Sequence, residues 1–77
     1  MSAAALRMVR DDPFETLTTR ELEVLRLLST GATNAQMARS LRLCEGTIRN
    51  VVARLTVKLG VADRTQAALL GFRSGLS

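Results

Sequence analysis

One predicted helix of this chain combines side chains that could recognise nucleic acid. Its polar face carries Arg49, Asn50, Ala53, Arg54 and Lys58. In the major groove of DNA, an arginine can bind guanine O6 and N7, an asparagine can bind adenine N6 and N7, and an alanine can pack on a thymine methyl group. These residue types therefore suit the reading of base pairs. The alternative is an ordinary solvent-exposed face on a helix whose other side is buried.

The positive charge of the chain is localised in the same region. Lys and Arg number 11 and Asp and Glu number 7, which gives a formal net charge of +4. Residues 33–64 account for the whole excess, because the rest of the chain carries five bases and five acids. A basic block of this kind is typical of nucleic-acid-binding domains, although a solvated basic surface would have the same composition.

The composition excludes several other kinds of site. The chain has no His and one Cys, so neither a His/Cys zinc site nor an intrachain disulfide can form. An enzyme is not expected, since there is no histidine to act as a general base and no Gly-rich phosphate loop after a strand pattern. We expect no cofactor, metal or small-molecule ligand. The lone thiol fits a reducing cytoplasm, and no apolar run approaches the ~18 residues of a membrane span.

The fold class predicted from capping residues and apolar periodicity is all-α. Thr18, Thr33 and Asp63 each stand three residues before a Glu or Gln, which is the pattern of a capping box. Apolar residues then recur at spacings of three and four, and glycines close three of the helices. The predicted helices are 19–30, 34–41, 45–59 and 64–73. They form a four-helix bundle with a helix-turn-helix, because only a short turn joins the second helix to the longer third.

Three charged residues outside the polar face are expected to be structural. Arg20 and Glu21 are expected to serve the cap of the first helix and an ion pair with a later helix, rather than to touch a partner. Arg64 is expected to pair with Glu21 or Glu23 rather than to contact DNA.

Four motifs follow one another along most of the chain. They are LTTRELEVL at 17–25, GATNAQMA at 31–38, LRLCEGTIRN at 41–50 and KLGVADRTQA at 58–67. In this order and spacing, the stretch from Leu17 to Leu76 resembles the LuxR/GerE-type DNA-binding domain, which is also the effector domain of response regulators of the NarL/FixJ class. The resemblance implies that the third helix, 45–59, is a recognition helix that enters the major groove.

The resemblance also implies roles for individual residues. Base contacts are expected from Arg49, Asn50 and Ala53. Contacts to the DNA backbone are expected from Thr33, Asn34, Thr47, Arg54 and Lys58. Pairing of two copies through the last helix is expected to use Ala67, Ala68, Leu70 and Gly71.

The function that the resemblance implies is sequence-specific binding of double-stranded DNA by a bacterial transcription regulator. The chain would be the C-terminal output domain of a two-component response regulator in the cytoplasm. Its expected partners are DNA, a second copy of the chain on DNA, and RNA polymerase. The alternative is a helical protein–protein interaction module, similar to a sigma-factor domain or an anti-activator, without specific DNA reading.

Residues 1–16 show no sustained periodicity and are expected to be a linker or leader segment. Residues 17–77 would then be the helix-turn-helix domain, with Leu17 as its first buried residue. Sixteen residues are too short for a receiver or ligand-binding domain. The chain is therefore expected to be either an excised domain or a stand-alone member of the family.

Two positions depart from the family pattern. Cys44 stands where the family usually has Ser as the N-cap of the recognition helix, and a thiol is a poorer cap than a hydroxyl. Val51 stands where the family often has His or another large polar ring that helps to contact the DNA backbone. That contact is therefore not expected in this chain.

Overall fold

The computed structural model describes residues 14–76, and its helices match those predicted from the sequence. They are α1 (Thr19–Ser29), α2 (Asn34–Leu41), α3 (Glu45–Leu59) and α4 (Arg64–Arg73). No β-strand occurs within residues 14–76, so the all-α prediction is confirmed. The first helix ends at Ser29, one position before its predicted end.

The first two helices begin with complete capping boxes. At α1, the Thr18 hydroxyl accepts a hydrogen bond from the Glu21 backbone N–H at 3.1 Å, and Glu21 Oε1 accepts one from the Thr18 N–H at 2.9 Å. At α2, Thr33 and Gln36 make the equivalent pair of bonds at 3.1 and 2.8 Å. Each box satisfies backbone donors that have no partner within the helix. These local bonds explain why the helix starts could be predicted.

The fourth helix has only half of the predicted box. Asp63 Oδ1 accepts from the Gln66 backbone N–H at 3.0 Å. The Gln66 side chain, however, accepts from the backbone N–H of Ala62 at 2.8 Å rather than from that of Asp63. The cap therefore also fixes the residue that precedes it.

Side chains from all four helices and from the segment before α1 share one core. α1 packs against α4 and α3, and α3 also packs against α2 and α4. Burial of a single Leu, Ile, Val or Met side chain contributes roughly 1.5–3 kcal/mol. The buried apolar residues are Leu17, Val24, Leu25, Leu28, Met37, Ala38, Ile48, Val51, Val52, Leu55 and Ala67.

A turn at residues 14–16 leads into α1 and belongs to the packed structure. The Leu17 N–H donates to the Phe14 carbonyl oxygen at 3.1 Å, and the half-buried Phe14 packs against the core. Leu17 is buried, as predicted. The packing thus begins before the predicted boundary at residue 17. Residues 1–13 of the predicted leader lie outside the described residues.

The close contact between α4 and α1 corrects part of the predicted dimer surface. A Cβ atom on Gly71 would collide with Ser29 Oγ and would lie 3.4 Å from Leu25 Cγ. Ala67, one turn earlier, has an exposed fraction of 0%. Ala67 and Gly71 lie on one side of α4, and this side faces α1. They are not available to a second copy, so their assignment to a dimer contact is wrong. Ala68 and Leu70 are half-buried.

Residues 14–76 contain neither a membrane-spanning helix nor a cluster of metal ligands. No helix among residues 14–76 has the length and apolar character needed to cross a bilayer. The same residues contain no group of three or more His, Cys, Asp or Glu side chains that could hold a metal ion.

Candidate nucleic-acid interface

α3 has one face in the core and one in solvent. Ile48 and Leu55 are fully buried, and Val51 is 1% exposed. Val51 therefore points into the core, which agrees with the expectation that it does not contact the DNA backbone. The exposed residues of the helix are Glu45, Arg49, Asn50, Ala53, Arg54, Val57 and Lys58. At 1.5 Å per residue, positions 49–58 extend for roughly 14 Å along the helix axis. A helix with its side chains is roughly 10–12 Å across, which fits the ~12 Å width of the major groove.

The turn between α2 and α3 depends on a left-handed residue that the sequence pattern did not reveal. Arg42 ends α2 with φ 58° and ψ 46°, although non-glycine residues rarely adopt this conformation. The Leu43 N–H then donates to the Ala38 carbonyl oxygen at 2.9 Å. This reverses the chain within three residues, 42–44, and sets the start of α3 beside the end of α2.

The residues predicted to contact bases lie together on the solvent face. Arg49, Asn50 and Ala53 are all exposed. Within residues 14–76, neither Arg49 nor Asn50 forms an ion pair or a side-chain hydrogen bond. Their donors and acceptors are therefore available to a partner molecule. Gly46 adds no side chain to this region, and Arg49 Nη2 lies 3.8 Å from the point where a Gly46 Cβ would be.

The two other cations of this face meet a buried carboxylate. Lys58 Nζ donates to Glu21 Oε1 at 2.8 Å and to the Thr16 carbonyl oxygen at 3.2 Å. Arg54 Nε lies 3.6 Å from Glu21 Oε2. The hydrogen bond from Lys58 and the one from the Thr18 backbone N–H lower the pKa of Glu21, and burial opposes them. The predicted roles of Glu21, a cap and an ion pair with a later helix, are confirmed. Arg20 instead pairs with Glu23 on α1 at 3.1 Å, so its expected pairing with a later helix is wrong.

The start of α2 is tied to the start of α4. Arg64 Nη1 donates to Asn34 Oδ1 at 2.6 Å, and Arg64 Nη2 donates to the Ala32 carbonyl oxygen at 3.3 Å. Arg64 is structural, as expected, but its expected pairing with Glu21 or Glu23 is wrong. The bond uses the oxygen of the Asn34 amide, and the NH₂ group of that amide has no partner among residues 14–76. Thr33 is exposed, and its hydroxyl caps α2. Thr33 and Asn34, two of the residues predicted to contact the DNA backbone, therefore stand at this helix N-terminus.

The start of α3 lacks a side-chain cap. Cys44 is the N-cap residue, and its thiol makes no cap hydrogen bond. Instead, Cys44 Sγ lies 3.1 Å from Thr47 Oγ1, within hydrogen-bond distance. The interaction with the Thr47 hydroxyl, together with nearby backbone N–H groups, lowers the pKa of the exposed Cys44 thiol. Thr47 is half-buried in the first turn of α3.

Sequence reasoning did not single out the apolar side chains that remain exposed. On α4, Phe72 is 64% and Leu69 is 46% exposed. Leu69 also lines a shallow groove, together with Val61 and Leu70. On α3, Val57 is 80% exposed. Helical periodicity marks such residues as apolar but cannot tell which of them the core leaves uncovered.

Comparisons with known proteins agree with this geometry. Residues 15–70 match a family model described as bacterial regulatory proteins, luxR family. The transcriptional regulatory protein LnrK of Bacillus subtilis is 48% identical over 61 residues, which are 79% of this chain and 28% of that protein. The DNA-binding transcriptional activator DevR/DosR of Mycobacterium tuberculosis is 48% identical over 60 residues, 78% of this chain and 28% of its own length.

A third similar protein, the transcriptional regulatory protein LiaR of Bacillus subtilis, is 41% identical over 64 residues, 83% of this chain and 30% of that protein. This chain thus spans less than a third of the length of each of these relatives.

Proposed function

The chain belongs to the LuxR family of bacterial regulatory proteins, and we propose on that basis that its folded domain binds specific sites on double-stranded DNA with α3 in the major groove. The observation that carries the proposal is that Arg49 and Asn50 are exposed on the solvent face of α3 and have no side-chain partner within residues 14–76. With Ala53, they present the chemistry that distinguishes base pairs in the major groove.

Contacts with the DNA backbone are proposed at the starts of α2 and α3. Thr33 and the amide NH₂ of Asn34 lie at one helix N-terminus, and Thr47 lies in the first turn of the other. Helix N-termini favour anions, because their backbone N–H groups and the helix dipole both attract negative charge. Arg54, on the same face of α3, is a further proposed phosphate contact.

The domain is proposed to act in the regulation of transcription. The relatives named above are transcriptional regulators, and another, VraR of Staphylococcus aureus, is named a response regulator. We therefore infer that the domain is the output part of a two-component response regulator in the bacterial cytoplasm. Because DevR/DosR is named an activator, RNA polymerase is a proposed partner of the DNA-bound protein.

Two copies are proposed to bind together on DNA. A single module of this size buries roughly 600–1,000 Å² on DNA, which gives modest affinity. The exposed Leu69 and Phe72 on the outer face of α4 are the proposed contact, with the half-buried Leu70 and Ala68 beside them. Two-fold pairing would place the half-sites about one helical turn apart.

Selection of binding sites from a random duplex library, followed by affinity measurements at several salt concentrations, tests the proposal. We expect an enriched half-site, repeated at a fixed spacing. The logarithm of the affinity should fall linearly with the logarithm of salt concentration, on random duplexes as well as on the selected site. Absence of salt-sensitive binding to any duplex would favour the alternative, a protein–protein interaction module.

A further inference from the structure

The two cations that meet Glu21 are held in very different ways. Lys58 has two short contacts, 2.8 Å to the carboxylate and 3.2 Å to the Thr16 carbonyl oxygen, and its side chain is 34% exposed. Arg54 has one long ion pair of 3.6 Å and is 60% exposed. Its two Nη groups make no hydrogen bond with any residue of the described part of the chain. The Lys58 ammonium group is thus held by contacts within the domain, whereas the Arg54 guanidinium is held by one long ion pair only.

The burial of Glu21 makes it unfavourable for Lys58 to break its ion pair with this carboxylate. Glu21 is the only charged residue among residues 14–76 that is buried, with an exposed fraction of 2%. Its Oε1 atom accepts from both Thr18 and Lys58. If Lys58 turned to a DNA phosphate, it would leave a buried carboxylate without its principal cation, and such a loss is strongly unfavourable. An exposed ion pair such as that of Arg54 is weak by comparison.

We propose that Glu21 is a positioning residue for DNA binding, which holds Lys58 within the domain and leaves Arg54 available for a DNA phosphate. Lys58 fixes α3 to α1 and to the turn at residues 14–16. Arg54 supplies the phosphate contact, because the Glu21 carboxylate lies beside its Nε and leaves both Nη groups for phosphate oxygens. This inference rests on the proposed function. It replaces the expectation that Lys58 and Arg54 both contact the DNA backbone.

Two substitutions that remove the same charge from the same helix separate the two roles. Arg54→Met should reduce the slope of log affinity against log salt by about 1, with a melting temperature close to that of the unmodified protein. Lys58→Met should lower the melting temperature and leave the slope unchanged when measured well below that temperature. Both are titrated against the selected duplex and a random duplex.

The decisive variant is Arg54→Met, because an exposed side chain can be changed without loss of the fold. A full salt slope in Arg54→Met would overturn the inference, as would a loss of slope in folded Lys58→Met equal to that in Arg54→Met. If the unmodified protein showed no salt-dependent binding at all, the proposed function would fall together with this inference. If it binds and only the Arg54 result fails, the inference alone falls.

Glu21→Gln tests the positioning role itself. This change removes a negative charge near Arg54 with little change in shape, so electrostatics alone would strengthen binding to every duplex. We expect instead that the ratio of the affinities for the selected and random duplexes falls severalfold, since α3 loses its fixed orientation. Glu23→Gln is the matched control, because it removes the same charge from an exposed pair with Arg20 on α1, and it should leave the ratio unchanged. An unchanged ratio in Glu21→Gln would contradict the positioning role.

Discussion

Arg64, the first residue of α4, donates from Nη1 to Asn34 Oδ1, on the first residue of α2, at 2.6 Å. A second bond, from Nη2 to the Ala32 carbonyl oxygen, joins the same guanidinium to the loop before α2. The N-terminus proposed to meet a phosphate is therefore held by a residue that is itself structural. Because Arg64 binds the oxygen of the Asn34 amide, the NH₂ group of that amide is the end that can bind another molecule.

Replacement of Arg64 by Lys should weaken both the fold and DNA binding. Lysine keeps the charge but has one ammonium group in place of the two Nη groups of the guanidinium that donate to Asn34 and to the Ala32 carbonyl oxygen. We expect a loss of about 1–2 kcal/mol in the free energy of unfolding, which lowers the melting temperature by roughly 4–8 °C per kcal/mol. DNA affinity should fall equally for selected and random duplexes. Arg39→Lys, on the exposed side of α2, is the control and should do neither. A changed base preference would show that Arg64 reads bases.

Arg49→Ala should cost about 1–3 kcal/mol of binding free energy on the selected site and should flatten the preference at one base pair. The reason is the exposed guanidinium on the solvent face of α3, which has no partner in the part of the chain that the structure describes. The measurement is affinity across a set of single-base variants of the site. Arg20→Ala, on α1, should leave the base preference unchanged. An equal loss on every sequence would make Arg49 a phosphate contact.

Cys44→Ser should stabilise the domain. The serine hydroxyl can accept a hydrogen bond from a backbone N–H of the first turn, which the thiol does not do here, and a good cap contributes about 0.5–2 kcal/mol. Because Cys44 is exposed, the new hydroxyl is not buried without a partner. Thermal unfolding should show a higher melting temperature, and DNA affinity should stay level or rise slightly. Cys44→Ala, which provides no cap, should not show this gain. A lower melting temperature for the Ser variant would mean that the thiol contributes more through Thr47 than a hydroxyl cap can replace.

The stability of the domain should depend on Glu21 in acid. The hydrogen bond from Lys58 holds the pKa of Glu21 below its ordinary value of 4.5. The ionised Glu21 carboxylate therefore makes its full contribution to the free energy of unfolding at pH values above 4.5, where Glu21 is also ionised in the unfolded chain. This contribution is lost as the pH falls through the lower pKa that Glu21 has in the folded state. Glu21→Gln should be less stable than the unmodified protein at pH 7 and should show a shallower loss below pH 4.5. Chemical denaturation at a series of pH values measures both. The exposed Glu23→Gln should retain the full acid dependence; if both variants behave alike, the effect does not arise from Glu21.

Gly71→Ala should destabilise the domain, because the added methyl group meets Ser29 on α1. Overpacking of this kind costs typically 1–3 kcal/mol. The double variant Gly71→Ala with Ser29→Ala should recover part of the loss, since it removes the hydroxyl that the methyl group meets. Equilibrium unfolding of the single and double variants gives the coupling between the two sites. No destabilisation in the single variant would mean that the Ser29 hydroxyl rotates away from the methyl group or that α4 moves away from α1.

The features that could be predicted from the sequence are those that depend on near neighbours. Thr18 and Thr33 cap their helices through residues three positions away, and the solvent face of α3 follows from helical periodicity alone. The long-range partners could not be predicted in this way. Lys58 binds Glu21 across 37 positions of the sequence, and Arg64 binds Asn34 across 30. The sequence alone does not indicate which distant residue a charged side chain will bind.

The dimer surface shows a different limit of sequence reasoning. Small residues spaced along a helix allow close packing against any other helix, whether from the same chain or from another copy. In α4 the stripe that contains Ala67 and Gly71 serves contact within the chain. Only the burial of these residues in the folded structure distinguishes the two cases.

The close contact at Gly71 has a consequence for how this domain can evolve. The side of α4 that holds the helix in place tolerates little change, because even one methyl group meets α1. The opposite side, with Leu69 and Phe72, is largely exposed and contributes little to the core. Substitutions there can accumulate at small cost in stability. The domain can therefore acquire or lose a binding partner on α4 while its helix arrangement, and with it the orientation of α3, stays the same.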